Sequence, residues 1–140
     1  MKTIIQEDIT GCGIASVANI VGLSYVEVKA KASSMDISVD DDSLFSDTEY
    51  VRKLLKKYDV QVSSSEIPYN SWESLPDLAL LAIKYYEENN RPFWHWVVFK
   101  REAGSSVVLD SASYLDKNER TDFDVMKPKW FIEVLNHCSF

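Results

Sequence analysis

Small and apolar residues recur at helical spacing between Gly13 and Val21, and Gly22 follows them directly. This pattern predicts a largely buried helix that ends at the glycine. Ser24 and Glu27 then stand three residues apart, which is the spacing of a capping box. A second, short helix is therefore predicted to begin after Ser24.

Two more helices are predicted in the middle of the chain. The first follows a capping-box candidate at 46–49 and carries an apolar stripe made of Tyr50, Val51, Leu54, Leu55 and Tyr58. The second is predicted from apolar positions between Leu75 and Tyr85, and it ends before Asn89. A short strand at 60–62 separates them, and the acidic stretch Asp36 to Asp42 before them favours a loop.

The pattern changes after Pro92, where aromatic and β-branched residues dominate. Segments 94–99 and 107–109 are predicted strands joined by a turn at 103–106, which makes a β-hairpin. Segments 123–126 and 130–135 are predicted as further strands, the second closing the sheet. The fold class is therefore predicted to be α+β, with N-terminal helices packed on a C-terminal antiparallel sheet in a single domain over 1–140.

The formal net charge of −7 argues against nucleic acid as a partner, because such binding relies on clustered Lys and Arg. The chain shows neither a secretory signal nor a membrane-spanning stretch, so no membrane insertion is predicted. Its two cysteines, Cys12 and Cys138, form no disulfide framework, and a cytoplasmic location with reduced thiols is expected. A single bridge between the two remains an alternative.

Cys12 stands between Gly11 and Gly13, immediately before the first predicted helix. The positive end of a helix dipole stabilises a thiolate, and the thiolate is the nucleophilic form of cysteine. The glycines remove side chains that would obstruct a substrate carbonyl. Taken alone, a cysteine at this position is more often a small buried apolar residue.

A base for such a thiol is available in His95, which opens the strongest predicted strand. If the hairpin loop is 102–105, paired residue numbers sum to 207, so Val97 lies opposite Asp110. His95 and Asp110 then become diagonal neighbours on one face, where Asp110 can hold one imidazole nitrogen while the other faces the thiol. A register shift of one residue would separate them.

Gln6 precedes Cys12 by six positions, in a segment that must approach the start of the helix. Together with the Cys12 backbone amide, its side-chain amide could donate to the oxyanion of a tetrahedral intermediate. Considered by itself, Gln6 would be an ordinary exposed residue.

Segment 6–18 closely resembles the start of the bacteriocin-processing cysteine peptidases, papain-like domains usually found ahead of ABC transporters. Those domains have the pattern Gln-x-Asp-x-x-Asp-Cys-Gly-x-Ala-x-Leu-Ala. Segments 95–99 and 107–110 resemble the family's histidine strand and the aspartate-bearing strand that follows. This chain departs from the pattern at Gly11, where the family usually has Asp, and at Ser111, where it usually has Pro.

The resemblance implies that Cys12 attacks, His95 is its base, Asp110 orients His95 and Gln6 completes the oxyanion hole. It also implies cleavage of a leader peptide after a Gly-Gly pair, with a separate ABC transporter as a candidate partner. Two alternatives use the same residues: another thiol acyl transfer, such as deamidation or transamidation, and a peptide-binding module that has lost activity.

No cofactor or metal is predicted. A zinc site formed by Cys12, His95, His137 and Cys138 would have suitable ligand types, but it lacks a paired Cys-x-x-Cys spacing. The acidic loop before residue 43 lacks the glycine and the closing glutamate of an EF-hand. The expected partner is therefore a peptide or protein substrate.

Overall fold

The computed structural model describes residues 3–136 of the chain, and helices occupy its first half. They are α1 (Cys12–Val21), α2 (Tyr25–Ser34), a 3-10 helix (Asp42–Ser46) and α3 (Glu49–Lys57). Gly22 ends α1 in the left-handed conformation, and its N–H donates to the Ala18 carbonyl. Ser24 and Glu27 form the complete capping box at the start of α2. These two predictions are confirmed.

The start of α3 differs from its prediction. The helix begins at Glu49, and the Thr48 side chain at the N-cap makes no capping hydrogen bond. Asp47 supplies the acceptor instead, because its Oδ1 lies 2.6 Å from the Glu49 backbone nitrogen. The capping box predicted at 46–49 is therefore wrong, although the apolar stripe of the helix is buried as expected.

An antiparallel sheet follows the helices. Its strands are β1 (Gln61–Val62), β2 (Ile67–Pro68), β3 (Leu78–Glu88), β4 (Arg91–Glu102), β5 (Ser105–Leu109), β6 (Glu119–Arg120) and β7 (Trp130–Asn136). The order across the sheet is β1-β7-β3-β4-β5-β6, and β2 also pairs with β7. Strand β7 thus lies inside the sheet between β3 and β1, rather than closing it at an edge.

Strand β3 occupies the region where a helix was predicted, so that prediction is wrong. Alternate residues of β3 face two different cores: Leu80 and Ala82 pack toward the helices, and Leu81 and Ile83 pack toward the other face. A strand that is buried on both faces is a continuous apolar run without alternation. Such a run also satisfies helical spacing, which explains the error.

The second core is covered by loops rather than by helices. Segments around Trp72, Phe123 and Met126 cover it, and Trp72 packs edge-on against Phe123 with ring centroids 4.9 Å apart. Residues 123–125 form a turn, so the strand predicted at 123–126 is also wrong. The helices therefore lie on one face of the sheet and loops on the other.

The β4–β5 hairpin has the predicted register. Val98 pairs with Leu109, and Phe99 pairs with Val108, so the paired numbers sum to 207. Ala103 and Gly104 both have positive φ at the turn, which suits a tight two-residue connection. The fold class is α+β, with α1 packed against β4. No helix in the described part of the chain is long and apolar enough to cross a membrane.

Candidate active site

Cys12 is the first residue of α1 and is 7% exposed. Gly11 precedes it at the N-cap and provides no side-chain cap for the first turn. The first backbone N–H groups of a helix have no acceptor within the helix, so they provide donors beside the sulfur. This end of α1 can therefore stabilise negative charge on Cys12 Sγ and on an oxygen bound next to it.

Two tyrosine hydroxyls explain the glycines that flank Cys12. A Cβ at Gly11 would lie 2.1 Å from the hydroxyl oxygen of Tyr25, and a Cβ at Gly13 would lie 2.1 Å from that of Tyr50. Both tyrosines are buried. Close packing against these rings therefore requires the glycines, whether or not a substrate carbonyl also needs the space.

Tyr25 belongs to a polar cluster beneath the segment that leads into α1. Its hydroxyl donates to Asp8 Oδ2 at 2.7 Å, and Lys29 Nζ lies 3.0 Å from the same oxygen. The hydrogen bond from Tyr25 lowers the pKa of Asp8, with a further contribution from Lys29. Burial and the Asp8 carboxylate raise the pKa of Tyr25. Asp8 is thus held as an anion that anchors the turn before Gly11.

The sulfur of Cys12 lies at an unpaired part of the β4 edge. Pairing between β4 and β5 ends at Val98, so the backbone of β4 before that residue has no partner from β5. There the Trp96 backbone N–H donates to Cys12 Sγ, with a nitrogen–sulfur distance of 3.5 Å. The start of α1 therefore takes a position that the next strand leaves open.

His95 lies one residue before Trp96, and its Nε2 is 2.7 Å from Asp110 Oδ1. That contact leaves Nδ1 as the ring nitrogen available to Cys12, whose side chain lies close enough to raise the pKa of His95. Burial alone would lower the pKa of His95, but the hydrogen bond to Asp110 and the nearby Cys12 side chain outweigh it and raise that pKa. The imidazole is therefore favoured in its protonated form.

Asp110 follows the last residue of β5, and its side chain is fully buried. Oδ1 also accepts the Ala112 backbone N–H at 3.1 Å, and Oδ2 accepts Arg120 Nη1 at 2.9 Å. Burial alone would raise the pKa of Asp110, but His95, the Ala112 amide and Arg120 together lower it. Both carboxylate oxygens are thus satisfied, and the anion is the stable form.

Gln6 lies beside this group, but its amide is already engaged. Its Nε2 donates to the backbone carbonyls of Asp8 at 2.8 Å and Ile9 at 3.2 Å. Its Oε1 accepts the Ser111 hydroxyl at 2.9 Å, and its backbone N–H donates to the Ser111 carbonyl. Ser111 therefore holds Gln6 at two points.

An open cleft of about 370 Å³ lies over His95. Its lining residues come from the segment before α1, from β3 and β4 and from the loop after Asp110: Gln6, Glu7, Asp8, Ile9, Lys84, His95, Ala112, Ser113 and Tyr114. Ile9 and Tyr114 are 85% and 69% exposed at this cleft. The size falls within the range of small-molecule and peptide side-chain sites.

Of the residues predicted from sequence, His95 and Asp110 are in direct contact, Cys12 Sγ accepts the backbone N–H of the residue after His95, and Gln6 lines the same cleft as His95. Cys12 is not among the residues that line this cleft. The sequence analysis missed Arg120 and the clamp from Ser111. Arg120 belongs to a strand of two residues, which leaves no periodic pattern to detect.

A zinc site and a disulfide are the alternative arrangements that involve Cys12. No group of three or more His, Cys, Asp or Glu side chains within residues 3–136 is arranged to hold a metal ion. His137 and Cys138 lie outside the described residues. The zinc site and the disulfide that would use them are therefore not addressed by the structure.

Compared with known proteins, the chain matches no family model and no curated protein sequence.

Proposed function

We propose that the protein is a papain-like cysteine peptidase in which Cys12, His95 and Asp110 form the catalytic triad. The observation that carries the proposal is that Cys12 Sγ accepts the backbone N–H of Trp96, the neighbour of His95, while the His95 imidazole contacts Asp110. A thiol, a base and an orienting acid in this order are the elements of nucleophilic acyl transfer.

In the proposed reaction, the proton of Cys12 Sγ has already passed to His95 Nδ1 before the substrate binds, in agreement with the raised pKa of that imidazole, and the thiolate attacks the carbonyl carbon of the scissile peptide. The resulting oxyanion lies near the Cys12 backbone N–H at the helix start. When the intermediate collapses, the C–N bond breaks and the imidazolium gives its proton to the leaving amine. A water molecule, deprotonated by His95, then attacks the thioester; the C–S bond breaks, which releases the product and leaves the thiolate beside the protonated imidazole.

Gln6 serves in this proposal as the second oxyanion donor. Its amide nitrogen has two hydrogens, and both are engaged by the carbonyls of Asp8 and Ile9. Donation to an oxyanion therefore requires that substrate binding replaces one of these hydrogen bonds. Since the Ser111 hydroxyl holds Gln6 Oε1, the amide can keep its orientation during that exchange.

The resemblance to the bacteriocin-processing peptidases extends the proposal to substrates that are cut after a Gly-Gly pair. Glycines suit a site whose sulfur is nearly covered, because only a slender backbone can approach it closely. The exposed side chains of Ile9 and Tyr114 would then contact apolar residues farther from the cut. An ABC transporter remains a candidate partner on the resemblance alone.

An electrophilic peptide that ends in Gly-Gly and carries a thiol-reactive group at its C-terminus tests the proposal. We expect one adduct per chain, located on Cys12 by mass spectrometry, and no adduct on that residue in Cys12→Ala. His95→Ala should slow the labelling on the order of a hundredfold, because general-base assistance is lost. Cys138→Ser is the control thiol variant and should label as the wild type does.

Equal labelling of wild type and His95→Ala would contradict the proposed triad. A peptide that continues beyond its Gly-Gly pair provides a second test. Its cleavage by Cys12→Ala at the wild-type rate would also contradict the proposed triad. The products separate the other acyl transfers: a peptidase yields two shorter peptides, whereas a deamidase converts an amide side chain to a carboxylate without cutting the chain. A transamidase forms a new amide with an added amine.

A peptide-binding module without activity is the second candidate. It is favoured by the burial of Cys12 and by the engagement of both Gln6 amide hydrogens. This candidate predicts that a Gly-Gly peptide binds equally well to wild type and Cys12→Ala, and that neither protein cleaves it. Calorimetry together with product analysis distinguishes the two functions.

A further inference from the structure

Arg120 makes the second contact to the Asp110 carboxylate. The two-residue strand β6 pairs Arg120 with Val108 of β5, which makes Arg120 a diagonal neighbour of Asp110 just beyond the end of β5. Its Nη1 donates to Asp110 Oδ2 at 2.9 Å, while Oδ1 is bound by His95. The carboxylate therefore bridges the imidazole and the guanidinium.

Asp122 holds Arg120 from the other side. Arg120 Nε donates to Asp122 Oδ1 at 3.0 Å, and Nη2 donates to Oδ2 at 2.7 Å, which is a bidentate pair. The Arg120 side chain is only 12% exposed, whereas Asp122 lies at the surface. Asp122 thus fixes the Arg120 guanidinium and partly neutralises its positive charge. The remaining positive charge of Arg120 acts on Asp110.

We propose that Arg120 is a positioning residue of this site, which fixes the orientation of the Asp110 carboxylate and limits how strongly that carboxylate retains the proton of His95. The inference rests on the proposed function for its catalytic meaning. A base that binds its proton too tightly cannot give it to the leaving group near neutral pH. Arg120 competes with the imidazolium for the same anion and so keeps the proton exchangeable.

Other charged and titratable groups also lie around His95 and Asp110. They are Cys12 on α1, Lys84 on β3, Tyr114 on the loop after Asp110, Asp122 beside β6, and Glu7 and Asp8 before α1. None of these except Asp122 contacts Arg120 through a hydrogen bond in the described residues. A change at Asp122 therefore acts on the pair mainly through Arg120.

The signs of the expected shifts follow from Coulomb's law. Replacing Arg120 with Gln removes a cation near the imidazolium while Asp110 stays ionised, so the pKa of His95 should rise. Replacing Asp122 with Asn removes an anion that screens Arg120, so the pKa of His95 should fall. If Arg120 served only to hold the backbone, both variants would loosen Asp110 and lower the pKa of His95.

The test is an NMR titration of the His95 imidazole nitrogens in the full-length protein. The chain contains only two histidines, so a His137→Gln variant assigns the signals. A Cys12→Ser background removes the titration of the thiol from the curve, because coupled groups share their proton-binding steps. Thermal melting of each variant shows that the protein is folded.

We expect Arg120→Gln to move the His95 titration up by about one pH unit, and Asp122→Asn to move it down by a smaller amount. Arg120→Lys keeps the charge and should stay near the wild type. Arg52→Gln is the matched control, because Arg52 is 11% exposed and ion-paired with Glu49 and Glu66 but makes no contact with the triad. It should cost stability and leave the titration unchanged.

An unchanged or lowered His95 titration in Arg120→Gln would overturn the inference, as would a shift of the same sign in Asp122→Asn. If Arg120→Gln does not fold, the sign of the Asp122→Asn shift alone decides. Failure of the proposed function is a separate result, since it is read from labelling and cleavage at Cys12.

Discussion

Replacing Gly13 with alanine should destabilise the protein, although helix propensity alone predicts the opposite. Gly13 is the second residue of α1, and alanine is favoured over glycine inside a helix by about 1 kcal/mol. A Cβ at this position would lie 2.1 Å from the Tyr50 hydroxyl oxygen, and 2.7 Å and 2.9 Å from two ring carbons. Such distances lie far inside van der Waals contact, so one of the two elements must shift.

Neither element can shift easily. Tyr50 is 3% exposed and lies on α3, where its neighbours Val51 and Leu54 are fully buried. Extra methyl groups in a well-packed core typically cost about 1–3 kcal/mol. After the propensity gain is subtracted, we expect a net loss of up to about 2 kcal/mol in the free energy of unfolding, which corresponds to up to roughly 8 °C in the melting temperature.

Urea denaturation of a double-mutant cycle measures this effect. The cycle consists of the wild type, Gly13→Ala, Tyr50→Phe and the double variant. Tyr50→Phe removes the closest oxygen, which is buried and makes no hydrogen bond within the described residues, so this change alone should be nearly neutral. In the double variant, Gly13→Ala should cost less by at least about 0.5 kcal/mol. If Gly13→Ala stabilises the protein, or if Tyr50→Phe leaves the cost of Gly13→Ala unchanged, the packing explanation is refuted. The glycine would then be explained by access for a substrate.

Two further predictions concern the same site. Gly11→Asp, which introduces the residue usual in the resembled family, should lower the melting temperature, because its Cβ meets the Tyr25 hydroxyl; equal melting of variant and wild type would contradict this. Stability should also depend on pH through His95 and Asp110. The His95 contribution is complete below its ordinary pKa of 6.5 and is lost as the pH rises through its raised value; the Asp110 contribution is present above 3.8 and is lost as the pH falls through its lowered value. Denaturation across this pH range should show that Asp110→Asn lacks the loss of stability at alkaline pH. Parallel stability curves for the variant and the wild type would count against the ion pair.

Local features of the sequence were sufficient for the elements that carry the candidate triad. The Gly22 stop and the Ser24 capping box each depend on a few neighbouring residues, and both are present. The hairpin register depends on one tight turn, and a two-residue turn leaves little choice of pairing. Since that register brings His95 and Asp110 to one face, their contact could be predicted before any coordinates were known.

Features that depend on distant parts of the chain could not be predicted in this way. The run between Leu75 and Tyr85 has helical spacing, but burial by two different layers makes most of it a strand. Whether a second layer exists depends partly on the loop around Phe123 and Met126, which follows tens of residues later. The flanking glycines likewise suggest substrate access when only the sequence is considered, because nothing near Cys12 in sequence indicates that Tyr25 and Tyr50 fill that space.

The end of β5 at Leu109 accounts for the position of the whole candidate site. Because β5 stops there, the Trp96 N–H on β4 has no strand partner, and the sulfur at the start of α1 accepts it. Asp110 directly follows this stop, and its carboxylate contacts both His95 and Arg120. One strand end thus supplies both the space for the nucleophile and the acid for its base. A longer β5 would compete with Cys12 for the edge of β4, so the length of this short strand is itself a requirement of the proposed chemistry.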